Sequence, residues 1–351
     1  MKTSKYFFVG FILFLFCFVI YLFNGFLLTI AIGILLAVST ANINRFFLKL
    51  TNDKNLLSAT STTLVLALFF LVPFMYAVIE LAKYASSFDM KNTSIVLNYI
   101  QNFNFHLPEK FASFEPKIKE FIASININSL VKQGATYLST IGKSSAKFIV
   151  DMGLIIAFYF FANLYGKSLM SFLKETLPVE ASHIDSISHE VANTMSVVLY
   201  STIATAVLQG FLFGIFLSFY GYDGFLMGIL YAFASLVPIV GGALIFVPIS
   251  IYELANGNTL NAIIIFLYSI IMIATIADNF IKPLIIRFIN SKLVSSPANI
   301  NELLIFFAML AGLSTFGFWG IILGPAIVTL FIASLNSYRI MTKEFDNLDQ
   351  L

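Results

Sequence analysis

The sequence predicts an all-α integral membrane protein with about eight hydrophobic segments, six of them full spans and two of them broken or re-entrant helical elements. Composition is the first reason: 59% of residues are hydrophobic and 11% charged, where an average soluble domain carries about 25% charge, and mean hydropathy is +0.91. The second is the recurrence of nearly uncharged runs long enough to lie in a bilayer. The third is that two of those runs carry helix breakers near their middles, in Ser235-Leu236-Val237-Pro238-Ile239-Val240-Gly241-Gly242 and in Gly317-Phe318-Trp319-Gly320-Ile321-Ile322-Leu323-Gly324-Pro325. Broken backbone at membrane depth is tolerated only where protein or a water-filled cavity satisfies the freed groups, so these two runs point to a transport path.

Taken in order, Lys2 and Lys5 precede an apolar run from Tyr6 to Phe23 that resembles a secretory signal, but no small-residue cleavage pattern follows at Phe23-Asn24-Gly25. The run is therefore expected to be a retained span. A second begins at Phe26, and a junction of only Asn24-Gly25 predicts a tight helical hairpin. Lys2 and Lys5 would then share a side with Arg45, Lys49 and Lys54, which the positive-inside rule makes cytoplasmic, and both termini are expected there. A third span, about Thr60 to Leu81, contains Pro73, expected to kink it, and closes a first region of residues 1–82.

Residues 83–145 interleave Glu109, Lys110, Glu115, Lys117, Lys119 and Glu120 with Phe103, Phe105, Phe111 and Phe114, the pattern of an amphipathic helical segment outside the hydrocarbon. Residues 146–335 form the expected transport core, with a fourth span near Ala146 to Leu164, a polar connector at 166–196 and a fifth span near Val197 to Tyr220. Within the fifth span, Gly210-x-x-x-Gly214 would let a neighbouring helix approach closely, and the amide of Gln209 could bond across that contact or touch a solute. As single helices, 225–252 and 302–335 would run roughly 42 and 51 Å against a hydrocarbon core of about 30 Å, and two full passes would need about 60 Å. Neither length fits, so each is expected to be a half-crossing hairpin or a tilted broken helix, on either side of an ordinary span near Leu260 to Ala277. Residues 336–351 form a cytoplasmic tail. Pro238-x-x-Gly241 with Pro248 downstream, and Gly317-x-x-Gly320 with Pro325 downstream, could be an internal repeat, although glycine and proline are common in membrane helices generally.

At three places the chain resembles the autoinducer-2 exporter family of bacterial permeases: Val237-Pro238-Ile239-Val240-Gly241 with Pro248, then Asp278-Asn279-Phe280-Ile281-Lys282-Pro283, then Gly317 to Pro325. The likeness is specific from about Tyr200 to Leu335 and extends to the first half only in layout. Two departures stand out: Asn299-Ile300-Asn301-Glu302 where the family has a proline before its last apolar run, and Gly242 where many members have proline. The resemblance implies export of a small polar signalling molecule in some members, exchange of sodium or lithium for protons in others, and residence in the bacterial inner membrane.

The residues expected to form a substrate or ion pathway are Gln209, Pro238, Gly241, Gly242, Asp278, Asn279, Lys282, Gly317, Gly320, Gly324 and Pro325. The glycines and prolines would act through backbone geometry, or would serve only dense helix packing. Asp278 and Lys282, four apart on a helix, could pair and couple an ion, or form an exposed pair at a helix end. Asn279 could bond a solute hydroxyl or cap a helix. Glu253 and Glu302 are expected to be solvated, Asp151 interfacial, Asp223 part of a turn in Gly221-Tyr222-Asp223-Gly224, and His183 and His189, six apart, ordinary connector residues.

A net charge of +2 gives no sign of a nucleic-acid partner, and the single cysteine, Cys17, offers neither a disulfide nor a thiolate metal site. The sequence has no phosphate-binding glycine loop and no nucleophile with an ordered base, so an enzyme is not expected and no cofactor is. The leading expectation is a secondary transporter or facilitator exporting a small polar metabolite, with autoinducer-2 as a candidate, through a pathway lined by the two broken elements. A Na⁺(Li⁺)/H⁺ antiporter using Asp278, and a non-transporting scaffold using the segment from Lys83 to Ser145, are the alternatives. The expected partners are the solute, H⁺ or Na⁺ as coupling ion, the lipid bilayer and, given the forty Phe and the small-residue faces, further copies of the chain.

Overall fold

A computed structural model of the chain describes residues 2–86, 116, 127–238, 240–293 and 301–348, and all regular structure among them is helical. The helices are α1 (Lys2–Leu22), α2 (Leu27–Ser39), α3 (Ala41–Leu50), α4 (Asn55–Ser86), α5 (Ile127–Thr176), α6 (Ala181–Ser218), α7 (Gly224–Ser235), α8 (Ala243–Ala255) and α9 (Thr259–Tyr268). A π-helix (Ser269–Ile281) continues α9 into α10 (Lys282–Leu293), and α11 (Glu302–Phe316) and α12 (Gly320–Leu348) complete the order. Five stretches are long and apolar enough to cross a membrane, or six if the bent pair α1–α2 is one span. The all-α membrane class is as expected.

The junction between α1 and α2 is not. The short 3₁₀ turn Asn24–Phe26 bends the chain by 59° and does not reverse it, so the tight hairpin anticipated from the two-residue linker is not formed. A 3₁₀ turn keeps the chain winding onward, which is why two polar residues suffice for a bend but not a reversal. The charge argument that set Lys2 and Lys5 beside Arg45 and Lys49 loses its premise.

Most of the amphipathic segment anticipated at 83–145 lies outside the described residues; its last part, 127–145, is the beginning of α5. The connector at 166–196 consists of the end of α5, a short turn and the start of α6, and Lys174 Nζ lies 2.5 Å from Asp185 Oδ1 across it. α4 continues through Pro73.

Contacts divide the chain into two units. The first comprises residues 1–69, 150–199 and 289–351. In it α2 buries Ile32, Gly33 and Leu36, and a side chain at Gly33 would press on Phe158 and the backbone at Ile155 and Tyr159 of α5. Polar bonds lock this packing: Thr40 Oγ1 and Tyr159 Oη lie 2.7 Å apart, and Ser196 Oγ donates to the carbonyl of Ser39 at 2.7 Å. In the turn joining α3 to α4, Asn52 and Asp53 adopt φ of 51° and 60°, values that Asn and Asp tolerate best among residues with a side chain. Ser58 Oγ, one turn into α4, then donates to Asn44 Oδ1 at 2.6 Å.

The second unit comprises residues 70–149 and 200–288. Its core gathers Phe213, Leu217, Tyr231, Phe246, Ile265 and Ile273 from α6, α7, α8, α9 and the π-helix. α1, by contrast, is exposed around its circumference, with Phe7, Phe11, Phe14 and Phe18 all open to the surroundings.

Candidate functional site

The apolar stretch at 303–340 has the length of a single long span, but it folds back on itself. A side chain at Gly312 would collide with the carbonyl of Gly320, and one at Gly324 with the carbonyl of Ala308. On a straight helix Ala308 and Gly324 would be about 24 Å apart; here their backbones touch, so α11 and α12 form a helical hairpin zipped by small residues. Gly317 makes the reversal, at φ 66° and ψ −152°, a conformation essentially restricted to glycine. Gly320, Gly324 and Pro325 are buried in the seam. Asn301, at the departure from family pattern, caps α11 by accepting from the Leu303 N–H at 2.8 Å. The far part of α12 lies among polar groups: Ser337 Oγ is 3.2 Å from His183 Nδ1, and Asn336 Nδ2 donates to Glu190 Oε1 at 3.5 Å.

The run 225–252 is likewise broken, into α7 of 12 residues and α8 of 13. At about 18–20 Å, neither can cross a core of about 30 Å. Pro238 lies in the connection, and Gly241 packs against the carbonyls of Ala234 and Val237 so closely that no side chain fits. Gly242 faces the Tyr231 hydroxyl in the same way. α7 also runs against α6, where Gly210 and Gly214 meet Gly228 and Gly224 backbone to backbone, the close approach expected of the Gly210-x-x-x-Gly214 pair.

At the opposite end from Pro238, α7 is capped by Asp223, which accepts from the Leu226 N–H at 3.0 Å and from Tyr76 Oη at 3.2 Å. Beside it, Glu253 corrects the expectation of a solvated carboxylate, since it is only 6% exposed. Tyr222 Oη donates to Glu253 Oε1 at 2.5 Å, and Asn258 Nδ2 and Asn261 Nδ2 donate to Oε2 at 3.0 and 3.4 Å. The turn between α6 and α7, the end of α8 and the start of α9 are thereby tied at one carboxylate. Burial, then the hydrogen bond to Glu253 and its charge, raise the Tyr222 phenol well above the ordinary tyrosine range, so it stays a donor.

Asp278, Asn279 and Lys282 fall where the π-helix ends. The expected i, i+4 pair assumes an α-helix, whereas the backbone up to Ile281 is π, and the Asp278 side chain lies outside the described residues. Asn279 is exposed and donates to its own helix, at the Thr275 carbonyl. Thr275 Oγ1 reaches the carbonyl five residues back, at Ile270, in keeping with the wider turn. π-Helices are rare and frequently mark functional sites, and nothing in the apolar run Ser269–Ile281 announces one. Gln209 is buried on α6, with Thr205 and Ser201 also buried one and two turns before it, and the Thr205 hydroxyl has no hydrogen-bond partner among the described residues. That polar stripe could be found from the four-residue spacing of Ser201, Thr205 and Gln209 in the apolar part of α6. Gly312 could not, because its partner Gly320 is defined only by the fold-back.

Known proteins match the sequence over nearly the whole chain. The sequence profile described as AI-2E family transporter matches residues 10–340. The chain belongs to the AI-2E transporter family. Among curated relatives of this family member, a protein of Helicobacter pylori strain J99 named "Putative transport protein" is 36% identical over 339 residues, covering 97% of this chain and 96% of its own. Its counterpart in strain 26695 is 36% identical over 342 residues, with 97% of each chain covered. A protein of the same name in Aquifex aeolicus is 25% identical over 312 residues, covering 84% and 85%. This AI-2E family chain is thus a multi-pass membrane protein of a transporter family.

Proposed function

We propose that this protein is a secondary transporter or facilitator that exports a small polar metabolite across the bacterial inner membrane, with autoinducer-2 as the first cargo to test. The observation that carries the reading is the pair of interrupted hairpins, one in each unit, with arms α7, α8 and α11 of 12, 13 and 15 residues. At about 1.5 Å per residue these arms end inside a core of about 30 Å, where an interrupted backbone persists only against protein or a water-filled cavity. In one unit Pro238, Gly241 and Gly242 make the interruption, with Gln209 on the neighbouring α6 and Asp278, Asn279 and Lys282 at the π-helix end as polar candidates. In the other, Gly317, Gly320, Gly324 and Pro325 make it. H⁺ or Na⁺ as coupling ion and assembly with further copies belong to the same reading, which assigns transport and no enzymatic step.

Uptake of labelled autoinducer-2 into liposomes containing the purified protein tests this. Saturable uptake that is lost in a folded Gly241→Leu variant is the expected result. Absence of uptake by a preparation that is active in sodium-driven proton exchange would remove autoinducer-2 as cargo and favour antiport.

A further inference from the structure

We infer that Glu253 is a proton-binding site, through which proton uptake acts on the α7–α8 hairpin from its base. Among the described residues Glu253 is the one carboxylate in the buried set, 6% exposed. A buried carboxylate paired with Lys or Arg is held ionised by its partner. The hydrogen-bond partners of Glu253 are all neutral: the Tyr222 hydroxyl, Asn258 and Asn261. No cation is among those partners to fix the carboxylate in its charged form.

The donor set also suits both forms. When the carboxylate takes a proton on Oε1, the Tyr222 hydroxyl can turn from donor to acceptor, while the two amides go on donating to Oε2. One O–H bond forms, the proton comes from water, and no other covalent bond changes. Access is short, since Asn256, Gly257 and Asn258, which join α8 to α9, are exposed.

Among the described residues, the other titratable groups near the cluster are few. Tyr252 precedes Glu253 on α8 and acts on Tyr222. Asp223 follows Tyr222 but is engaged by the Leu226 N–H and by Tyr76, beside which Glu80 and Lys83 pair with each other. α9 contributes only the two asparagines.

The location gives proton binding a mechanical consequence. Glu253 joins the turn before α7 to the end of α8, so a change in its bonds is felt at both feet of the hairpin that carries Pro238 and Gly241. Coupling of that proton to solute movement rests on the transport reading; proton binding itself does not.

Infrared difference spectroscopy of the full-length protein in lipid nanodiscs, titrated from alkaline to acid pH, tests the site directly. A protonated-carboxyl C=O band should grow in on acidification, be lost in Glu253→Gln, and appear at higher pH in Tyr222→Phe, where a donor to the charged form is gone. The same band in Glu253→Gln overturns the proposal. Should that variant fail to fold, Tyr222→Phe decides: a shifted band supports the site and an unshifted band overturns it. Coupling is read as the ratio of autoinducer-2 uptake with and without a pH gradient, expected to fall from several-fold to none in Glu253→Gln. No uptake in the wild type alongside an intact infrared band would defeat the transport reading and leave the proton site standing.

Discussion

The two interrupted hairpins are held by opposite means. In α11–α12 the arms touch along two turns through Ala308, Gly312, Gly320 and Gly324, with backbone on backbone, and a positive-φ glycine at the reversal. In α7–α8 the backbone contact is confined to the tip, at Gly241 on Ala234 and Val237. Its arms pack on other helices: α7 on α6 through four glycines, and α8 on α9, where Phe246 and Phe266 meet at 5.6 Å. Polar bonds to Glu253 hold its base. A glycine zipper has no group that can change charge or rotamer, so the first hairpin is built to stay closed, whereas on the proton-site proposal above the second is built to respond.

The largest effect that would break this comparison is in the zipper. Gly312→Leu or Gly320→Leu forces side-chain atoms into a facing backbone, and a loss of about 3 kcal/mol is expected in thermal unfolding of the detergent-solubilised protein. Gly153→Leu, where a side chain meets nothing within 4 Å, should be neutral in the same assay. Gly317→Ala comes next, at about 1–3 kcal/mol, through backbone strain alone because there is open space around it.

At the base of the other hairpin, Glu253→Ala removes the shared acceptor of the half-buried Tyr222 and Asn261 and the exposed Asn258, an expected loss of about 1–3 kcal/mol, while Glu253→Gln should lose less. A smaller signature concerns pH. The folded-state pKa of Tyr222 is raised above the ordinary value of 10.0. Its contribution is therefore complete below that value and is lost as pH rises through the folded-state pKa, because the unfolded chain releases the proton first. Alkaline unfolding of Tyr222→Phe should accordingly be less steep than that of the wild type. The smallest effect is at Thr205, where Thr205→Val removes a buried hydroxyl that has no hydrogen-bond partner among the described residues and should be neutral or slightly stabilising. A fall in solute uptake without loss of stability there would mark the α6 stripe as solute-facing.

The breaks at Pro238, Gly241, Gly317 and Gly320 were legible because proline and glycine act on the backbone they belong to. The turn role of Asp223 was legible for the same reason, its side chain bonding only three residues on. Glu253 was misread because its position at the end of an apolar run suggests solvent, and the groups that bury it come from two other segments. The 59° bend at Asn24–Phe26 was misread because linker length limits where a chain can go without choosing among the paths it allows.

By itself, the sequence determined an all-helical membrane protein of a transporter family, and the places where its helices must break. Those properties follow from local quantities, the hydropathy of each run and the φ/ψ restrictions of single residues. Only the tertiary structure decided that Gly312 faces Gly320, that a carboxylate is buried under a tyrosine and two asparagines, and that the span after α9 winds as a π-helix. Each of these depends on which distant residues meet, and a contact between distant segments is written in neither of them alone.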